Sequence, residues 1–290
     1  MTTNQPRVEW AEAQEALRDM VGRLTAMLRT LTVSDRACLG DWGPAEVAMH
    51  LSQAWVVVPG LARRDLSRAH EILPGLAGAA GESLIRDISD LGETTKLGVE
   101  TDPERNLAVL AERIDERAAE FFSESLGTSP GEERAWLVEG TTVSRLGLVC
   151  HLLNETIVHG YDIARAAGAP WKIDRRYAAM VLGGFIVPVM QALDPRAMVD
   201  QQKAAGVHAT YDLRVRGGGR YFFVFDDGAM HVEAPSDRRV DCHLSADPAA
   251  LLLVGWGRTS QWPAIAKGQL VAWGRKPWLG PRFRPLIRAL

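Results

Sequence analysis

Residues 151–171 read HLLNETIVHGYDIARAAGAPW, and this stretch bears on both the fold and the chemistry of the chain. At about 100° per residue, four of its polar side chains lie at about 0°, 40°, 80° and 20° around a helix. These are His151, Glu155, His159 and Asp162. Imidazole nitrogens and carboxylate oxygens are ligands of Zn²⁺, and spacings of four residues place successive ligands beside one ion. The stripe is therefore a candidate metal site.

The same stripe is also consistent with the solvated face of a helix. Val149, Leu153 and Ile157 lie roughly opposite it, as they would on an exposed amphipathic helix. Leu152 and Val158 flank the stripe, however, and it contains no lysine or arginine, which favours an interior position. Because an isolated ExxxH pattern is common in helices, the spacing leaves both interpretations open.

His50 is a candidate for a third ligand from another helix. It falls in the apolar arc of a helix that begins at Gly43-Pro44, between the directions of Ala54 and Val57, so it faces the interior. A single core histidine is usually hydrogen-bonded to the backbone or to a neighbour, so His50 alone does not predict a metal. Together with the ExxxH pattern, it could complete a site in the core of a bundle.

Four long amphipathic segments predict a helical bundle. They run from Trp10 to Leu31, from Pro44 onward, from Asp102-Pro103 to Phe121, and from about Ser144 to Ala167. Pro59-Gly60 predicts a kink or an end in the second helix. Asp102-Pro103 has the composition of an N-cap followed by a first-turn proline, which places the start of the third helix there.

The last third of the chain predicts a different architecture. After an apolar helix from Asp174 to about Leu193, residues from His208 alternate between apolar and polar and are separated by glycine-containing turns, which is typical of strands. Helical segments follow around residues 249–256 and 262–266. The fold class is therefore a two-domain chain, with an all-α bundle in residues 1–197 and a small α+β domain in residues 198–290.

Composition excludes several classes of protein. The chain has 290 residues, a net charge of -3 and three scattered cysteines without a CxxC pair, so neither a disulfide framework nor a cysteine metal site is indicated. We expect a cytoplasmic protein without a secretory signal or membrane span. No acidic residue follows Asp247, whereas seven basic residues do, which fits either an anionic small molecule or a basic surface. No motif accompanies them that would indicate nucleic acid.

Two segments resemble the mycothiol-dependent maleylpyruvate isomerase family. They are Trp42–Leu51, which reads WGPAEVAMHL, and Glu155–Ala164, which reads ETIVHGYDIA. The resemblance implies a DinB/YfiT-like four-helix metal-binding bundle followed by a sterol-carrier-like domain, to which residues 251–258 and 273–278 are similar. It implies Zn²⁺ ligands at His50, Glu155 and His159, whereas His151 matches no ligand of the family.

The resemblance also implies a cytoplasmic actinobacterial enzyme with mycothiol as thiol cosubstrate. A thiol bound at an open metal position is deprotonated and becomes a nucleophile toward an electrophilic small molecule. The reaction is then a cis-trans isomerisation or an S-transfer. Asp162 is the candidate for orienting a ligand imidazole. Arg258 is the candidate for holding a substrate carboxylate, with Arg275 as its competitor.

Two other functions remain compatible with the sequence. The α+β domain could bind an apolar molecule while the bundle serves as a non-catalytic support. The bundle could also sense a metal or a thiol without turnover. The sequence does not identify the substrate or the oligomeric state.

Overall fold

The computed structural model describes residues 8–31, 36–73, 85–86 and 88–288. Its described residues form two compact units, one within Glu9–Lys172 and the other from Ile173 onward together with Val8. The two-domain architecture, helical first and α+β second, is as predicted. None of the helices in the described part of the chain is long and apolar enough to cross a membrane.

Four long helices form the core of the first unit. Helices α1 and α2 each pack against both α5 and α6. The bounds are Trp10–Thr30 for α1, Pro44–Arg63 for α2, Leu107–Glu124 for α5 and Arg145–Ala167 for α6. Shorter elements lie between them: α3 (Ser67–Ile72), a 3₁₀ turn (Ile88–Asp90), α4 (Leu91–Thr101), and an antiparallel pair of strands, β1 (Glu133–Ala135) and β2 (Thr142–Ser144).

Helices α2 and α6, which carry the candidate ligands, begin at the capping signals that the sequence provides. In α2, Gly43 precedes Pro44 and its backbone N–H donates to Glu46 Oε2 at 3.0 Å. In α6, Ser144 Oγ accepts from the Gly147 N–H at 3.1 Å, and the helix ends at Gly168 with φ +68°. These caps fix the residue at which each helix begins, and hence the direction in which the candidate ligands point.

Two helix ends differ from the expectations. Pro59-Gly60 predicted a kink or an end, and helix α2 does not end there but continues to Arg63. Residues 55–62 are all buried, and this packing outweighs the lost backbone hydrogen bond. Helix α5 begins at Leu107 and not at Asp102-Pro103. Asn106 Oδ1 caps it by accepting from two backbone N–H groups, while Asp102 is engaged by Arg113 at 2.9 Å.

The boundary between the units also differs from the prediction. The helix that was assigned to residues 1–197 belongs to the second unit, so the division lies at 172 and not at 197. This helix consists of α7 (Arg175–Val181), a π turn (Leu182–Ile186) and α8 (Val187–Ala192). Its apolar side chains pack on the sheet of the second unit, and Gln191 Nε2 donates to the Val232 carbonyl at 3.1 Å. Apolar periodicity shows that a helix has a face to bury, but it does not show against which partner.

A five-stranded sheet organises the second unit, with the strand order β5-β4-β3-β6-β7. Its strands are β3 (His208–Val215), β4 (Arg220–Asp226), β5 (Ala229–Glu233), β6 (Cys242–Ala246) and β7 (Leu270–Trp273). The β3–β6 pair is parallel and the others are antiparallel. The helices are α9 (Gln201–Ala204), α10 (Pro248–Gly255), α11 (Gln261–Ala266), a 3₁₀ turn (Pro277–Leu279) and α12 (Gly280–Leu286).

Aromatic rings fill the core of this unit. Phe283 from α12 lies 5.0 Å from Tyr211 and 5.1 Å from Phe223, measured between ring centroids. Phe225 contacts both Tyr211 and Phe283 at nearly perpendicular ring angles. These edge-to-face contacts are favourable and close the core on one face of the sheet. The opposite face carries the polar side chains of β3, β4 and β6.

Candidate metal centre

Helices α2 and α6 bring together the three side chains that were predicted as ligands. His50 Nε2 lies 3.1 Å from Glu155 Oε2, and His159 Nε2 lies 3.3 Å from the same oxygen. One donor atom from each of the three residues lies within 4.8 Å of the others. The two imidazole rings meet edge to face, with centroids 4.8 Å apart. Two nitrogens and one oxygen therefore converge on a single point between the two helices.

The cluster lies mostly out of contact with solvent. The side chains of His50, Glu155 and His159 are 17%, 13% and 12% exposed. This result decides between the two interpretations of the stripe on α6, because a solvated helix face would be far more exposed. The remaining exposure leaves a small part of each side chain in contact with solvent.

Asp162 lies one turn beyond His159 on α6 and is completely buried. Its Oδ2 accepts from His159 Nδ1 at 3.2 Å. This contact fixes the orientation of the imidazole ring and directs its Nε2 toward Glu155. Such a carboxylate partner increases the basicity of a histidine that binds a metal.

His151, the fourth member of the stripe, contacts the other oxygen of Glu155. Trp136 Nε1 donates to His151 Nδ1 at 3.4 Å, and an indole N–H can only donate. The proton of the neutral ring therefore lies on Nε2, which is 3.5 Å from Glu155 Oε1. Asn154 Nδ2 donates to the same oxygen at 3.2 Å. Oε1 is thus held by His151 and Asn154, while Oε2 faces His50 and His159.

Trp136 and Asn154 escaped the sequence analysis for different reasons. Trp136 follows β1 in a part of the chain with no motif, and only the packing of this segment on α6 brings it to His151. Asn154 precedes Glu155 directly, so it lies outside the stripe that helical spacing defines. Helical spacing did indicate that His151 lies beside Glu155, because residues four apart are neighbours on a helix.

The hydrogen bonds leave the three donor groups in unequal protonation states. Burial alone would raise the pKa of Glu155, but hydrogen bonds from His151, His159 and His50 hold it well below 4.5. Burial lowers the pKa of His50. Burial also opposes the charging of His159, but the hydrogen bonds to Asp162 and Glu155 outweigh it and raise its pKa to about 9. The site is therefore a charged carboxylate between a neutral and a protonated imidazole.

The residue set fits a divalent cation of the zinc type. Two imidazole nitrogens and a carboxylate oxygen form a ligand set of catalytic zinc sites, in which a fourth position stays open. A carboxylate at 3.1–3.3 Å from two imidazoles also shows that the ligand atoms already face each other.

The two candidate arginines lie in the second unit. Arg258 follows α10, and its Nη1 donates to the Trp256 carbonyl at 2.8 Å. Arg275 pairs with Asp241, which also accepts from Lys276 Nζ at 3.1 Å. Arg275 is thus held in an ion pair with Asp241.

No curated protein matches this sequence. Residues 190–274 match the SCP-2 sterol transfer family. A stereoselective inverting sec-alkylsulfatase from Pseudomonas sp. aligns at 12% identity over 86% of this chain and 33% of its own, with a TM-score of 0.31.

Two solved structures of a mycothiol-dependent maleylpyruvate isomerase, one with a histidine replaced, match almost the whole chain. Each has a TM-score of 0.52 at 14% identity and covers 94% of this chain and 95% of its own. The chain therefore shares the fold of that isomerase, a helical unit followed by an α+β unit that resembles the sterol-carrier proteins.

Proposed function

We propose that this chain is a zinc-dependent enzyme that uses mycothiol as a thiol cosubstrate and acts on an electrophilic small molecule. The observation that carries the proposal is the convergence of His50 Nε2, Glu155 Oε2 and His159 Nε2 within 4.8 Å on two helices. The fold shared with a mycothiol-dependent isomerase supports the choice of thiol. When bound, a cation with three protein ligands supplies an open position at which a thiol loses its proton.

The residues of the chain have separate tasks in this proposal. His50, Glu155 and His159 bind the cation. Asp162 holds His159 by its Nδ1 and keeps Nε2 directed at the site. His151 and Asn154 hold Glu155 Oε1, so that Oε2 is the oxygen presented to the cation.

The low solvent exposure of this cluster serves the same chemistry. With water largely excluded, the charge of a bound thiol is less screened than in bulk solvent. A substrate with a carboxylate would need a cationic partner, and Arg258 is our candidate. Isomerase and S-transferase reactions both begin with attack of the thiol on the substrate, and they differ in whether the thiol is released again or leaves with the product.

Metal content is the first test. The purified chain is expected to hold about one Zn²⁺, and His50→Ala and His159→Ala are each expected to lose it. His208→Ala is the matched control, because His208 is an exposed histidine that pairs with Asp226 in the other unit. Full metal content in both ligand variants would rule out these ligands.

Thiol use is the second test. Mycothiol is expected to raise the melting temperature of the zinc-loaded chain and to leave that of the metal-free chain unchanged. Products from a candidate electrophile, analysed by mass spectrometry, separate the two reactions, because a transferase gives a thiol adduct and an isomerase returns the thiol. Equal stabilisation of both forms would show that the thiol does not bind at the metal.

A second function is favoured by the match of residues 190–274 to the SCP-2 sterol transfer family. In this alternative the second unit binds an apolar molecule. Saturable binding of a fatty acid or a sterol by the metal-free full-length chain would support it. The aromatic core formed by Phe283, Tyr211, Phe223 and Phe225 counts against a large apolar cavity at that position.

A further inference from the structure

Two arginines face each other across neighbouring strands of the second unit. Arg214 on β3 is the direct cross-strand partner of Arg220 on β4. Asp212 lies two residues before Arg214, so it is on the same face of the sheet, and it is paired in register with His243 on β6. His243 is in turn paired with Trp273 on β7. One face of four adjacent strands therefore carries a continuous polar and aromatic row.

Asp212 holds this row together. The carboxylate has no solvent exposure, although both arginine side chains are nearly half exposed, at 45% and 46%. Asp212 Oδ1 accepts from Arg220 Nε at 2.7 Å, and Oδ2 accepts from Arg214 Nη2 at 2.8 Å and from His243 Nδ1 at 2.7 Å. Both guanidinium groups are thereby fixed by a carboxylate beneath them while their outer surfaces face solvent.

The two guanidinium groups repel each other, because like charges directly opposite each other destabilise a strand pair. Asp212 offsets this repulsion and holds both groups in place. Two half-exposed guanidinium groups with fixed donors are the features of a preformed site for an oxyanion, because the cost of ordering the arginines has been met before the ligand arrives.

An aromatic surface lies beside the two guanidinium groups. Trp273 stacks on His243, with centroids 5.4 Å apart and planes 20° apart, and its side chain remains partly exposed. The Arg214 guanidinium lies 5.4 Å from the Trp273 ring centroid, and Arg220 lies over the buried ring of Phe222. Two further acidic residues lie on this face of the sheet, and each has a partner. Asp226 pairs with His208, and Glu233, which is in register with Phe222, pairs with Arg238.

We propose that Arg214 and Arg220, ordered by Asp212, form a binding site for a small molecule with a carboxylate or phosphate group, whose apolar part packs on Trp273. The two guanidinium groups bind the oxyanion, and the indole provides the adjoining surface. This site is separate from the candidate metal centre in its residues and does not depend on the proposed function.

The test is a titration of the metal-free full-length chain with inorganic phosphate and, separately, with succinate, followed by calorimetry. Removal of metal keeps the anions from binding at the candidate metal centre. We expect saturable binding of at least one anion at millimolar concentrations or below. Arg214→Gln and Arg220→Gln are each expected to weaken it by about tenfold or more. The stronger of the two anions identifies the chemical group that the site prefers.

Arg29→Gln is the matched control, because Arg29 in the other unit is also 45% exposed and pairs with one carboxylate, that of Asp115. It removes the same charge and is expected to leave binding unchanged. Arg214→Lys keeps the charge but not the fork of donors, so it is expected to weaken binding even though the fold is retained. The proposal is overturned by absence of saturable binding of both anions, or by equal binding in the wild type and the two glutamine variants.

Discussion

Replacement of Asp162 by asparagine tests whether the contact beneath His159 serves metal binding. The change keeps the size of the side chain and removes one charge from a completely buried position. The interaction that the change tests is the 3.2 Å hydrogen bond from His159 Nδ1 to Asp162 Oδ2. Loss of such a partner typically weakens metal binding by about 10- to 100-fold, which corresponds to roughly 1.4 to 2.7 kcal/mol.

A second readout separates this role from a purely structural one. Because the pKa of His159 is raised to about 9, the metal-free protein carries a proton on this ring near neutral pH. Binding of a cation must displace it, so the wild type is expected to release about one proton from His159. The asparagine variant has a lower pKa at His159 and is expected to release fewer protons.

Calorimetry of Zn²⁺ binding against a competing chelator, repeated in buffers of different ionisation enthalpy, gives both the affinity and the proton count. Asp102→Asn is the matched control, since Asp102 lies in the same unit and pairs with Arg113 away from the centre. An affinity within twofold of the wild type, together with an unchanged proton count, would refute the reasoning.

Four further predictions concern stability, each measured as the free energy of unfolding in urea. Asn106→Ala should cost about 1 kcal/mol, because Asn106 caps α5. An unchanged free energy of unfolding would show that Asn106 does not cap this helix. Phe283→Ala should cost roughly 3 to 5 kcal/mol by opening the aromatic core, and a loss below about 1 kcal/mol would show that the core closes over the gap. Gly160→Ala should cost about 1 to 3 kcal/mol, because the added methyl overlaps the Trp171 ring; wild-type stability would mean that the ring moves freely. For Asp212, burial raises the pKa, but hydrogen bonds from Arg220, Arg214 and His243 lower it to about 2 from 3.8. The ionised Asp212 therefore contributes about 2 kcal/mol to stability above pH 4, and this contribution is lost as the pH falls toward 2. The difference in free energy of unfolding between the wild type and Asp212→Asn should shrink over that pH range. A difference that stays constant would contradict this prediction.

Local rules were sufficient for the elements that carry the candidate centre. Helical spacing placed His151, Glu155, His159 and Asp162 on one stripe, and in the structure all four belong to one network of contacts. This succeeded because the angle between residues of one helix is fixed by backbone geometry. The alternation of β3 likewise predicted a strand, since the side-chain period of a strand is also local.

Local rules failed where competing local signals had to be weighed. Asp102-Pro103 predicted the start of α5, but the helix begins after Asn106, whose Oδ1 accepts from the Ala108 and Val109 N–H groups. The helix after residue 173 was recognised but assigned to the wrong unit. This second outcome depended on contacts of the helix with the sheet of the second unit.

The sequence by itself determined which elements form and which side chains share a face, because those relations follow from the period of the backbone. Tertiary structure alone decided which faces meet. His50 and Glu155 are 105 residues apart, and only the packing of α2 on α6 brings Nε2 to 3.1 Å from Oε2. The same holds for Trp136 at His151 and for Asp212 under its two arginines, since long-range contacts depend on how the whole core packs and leave no periodic trace in the sequence.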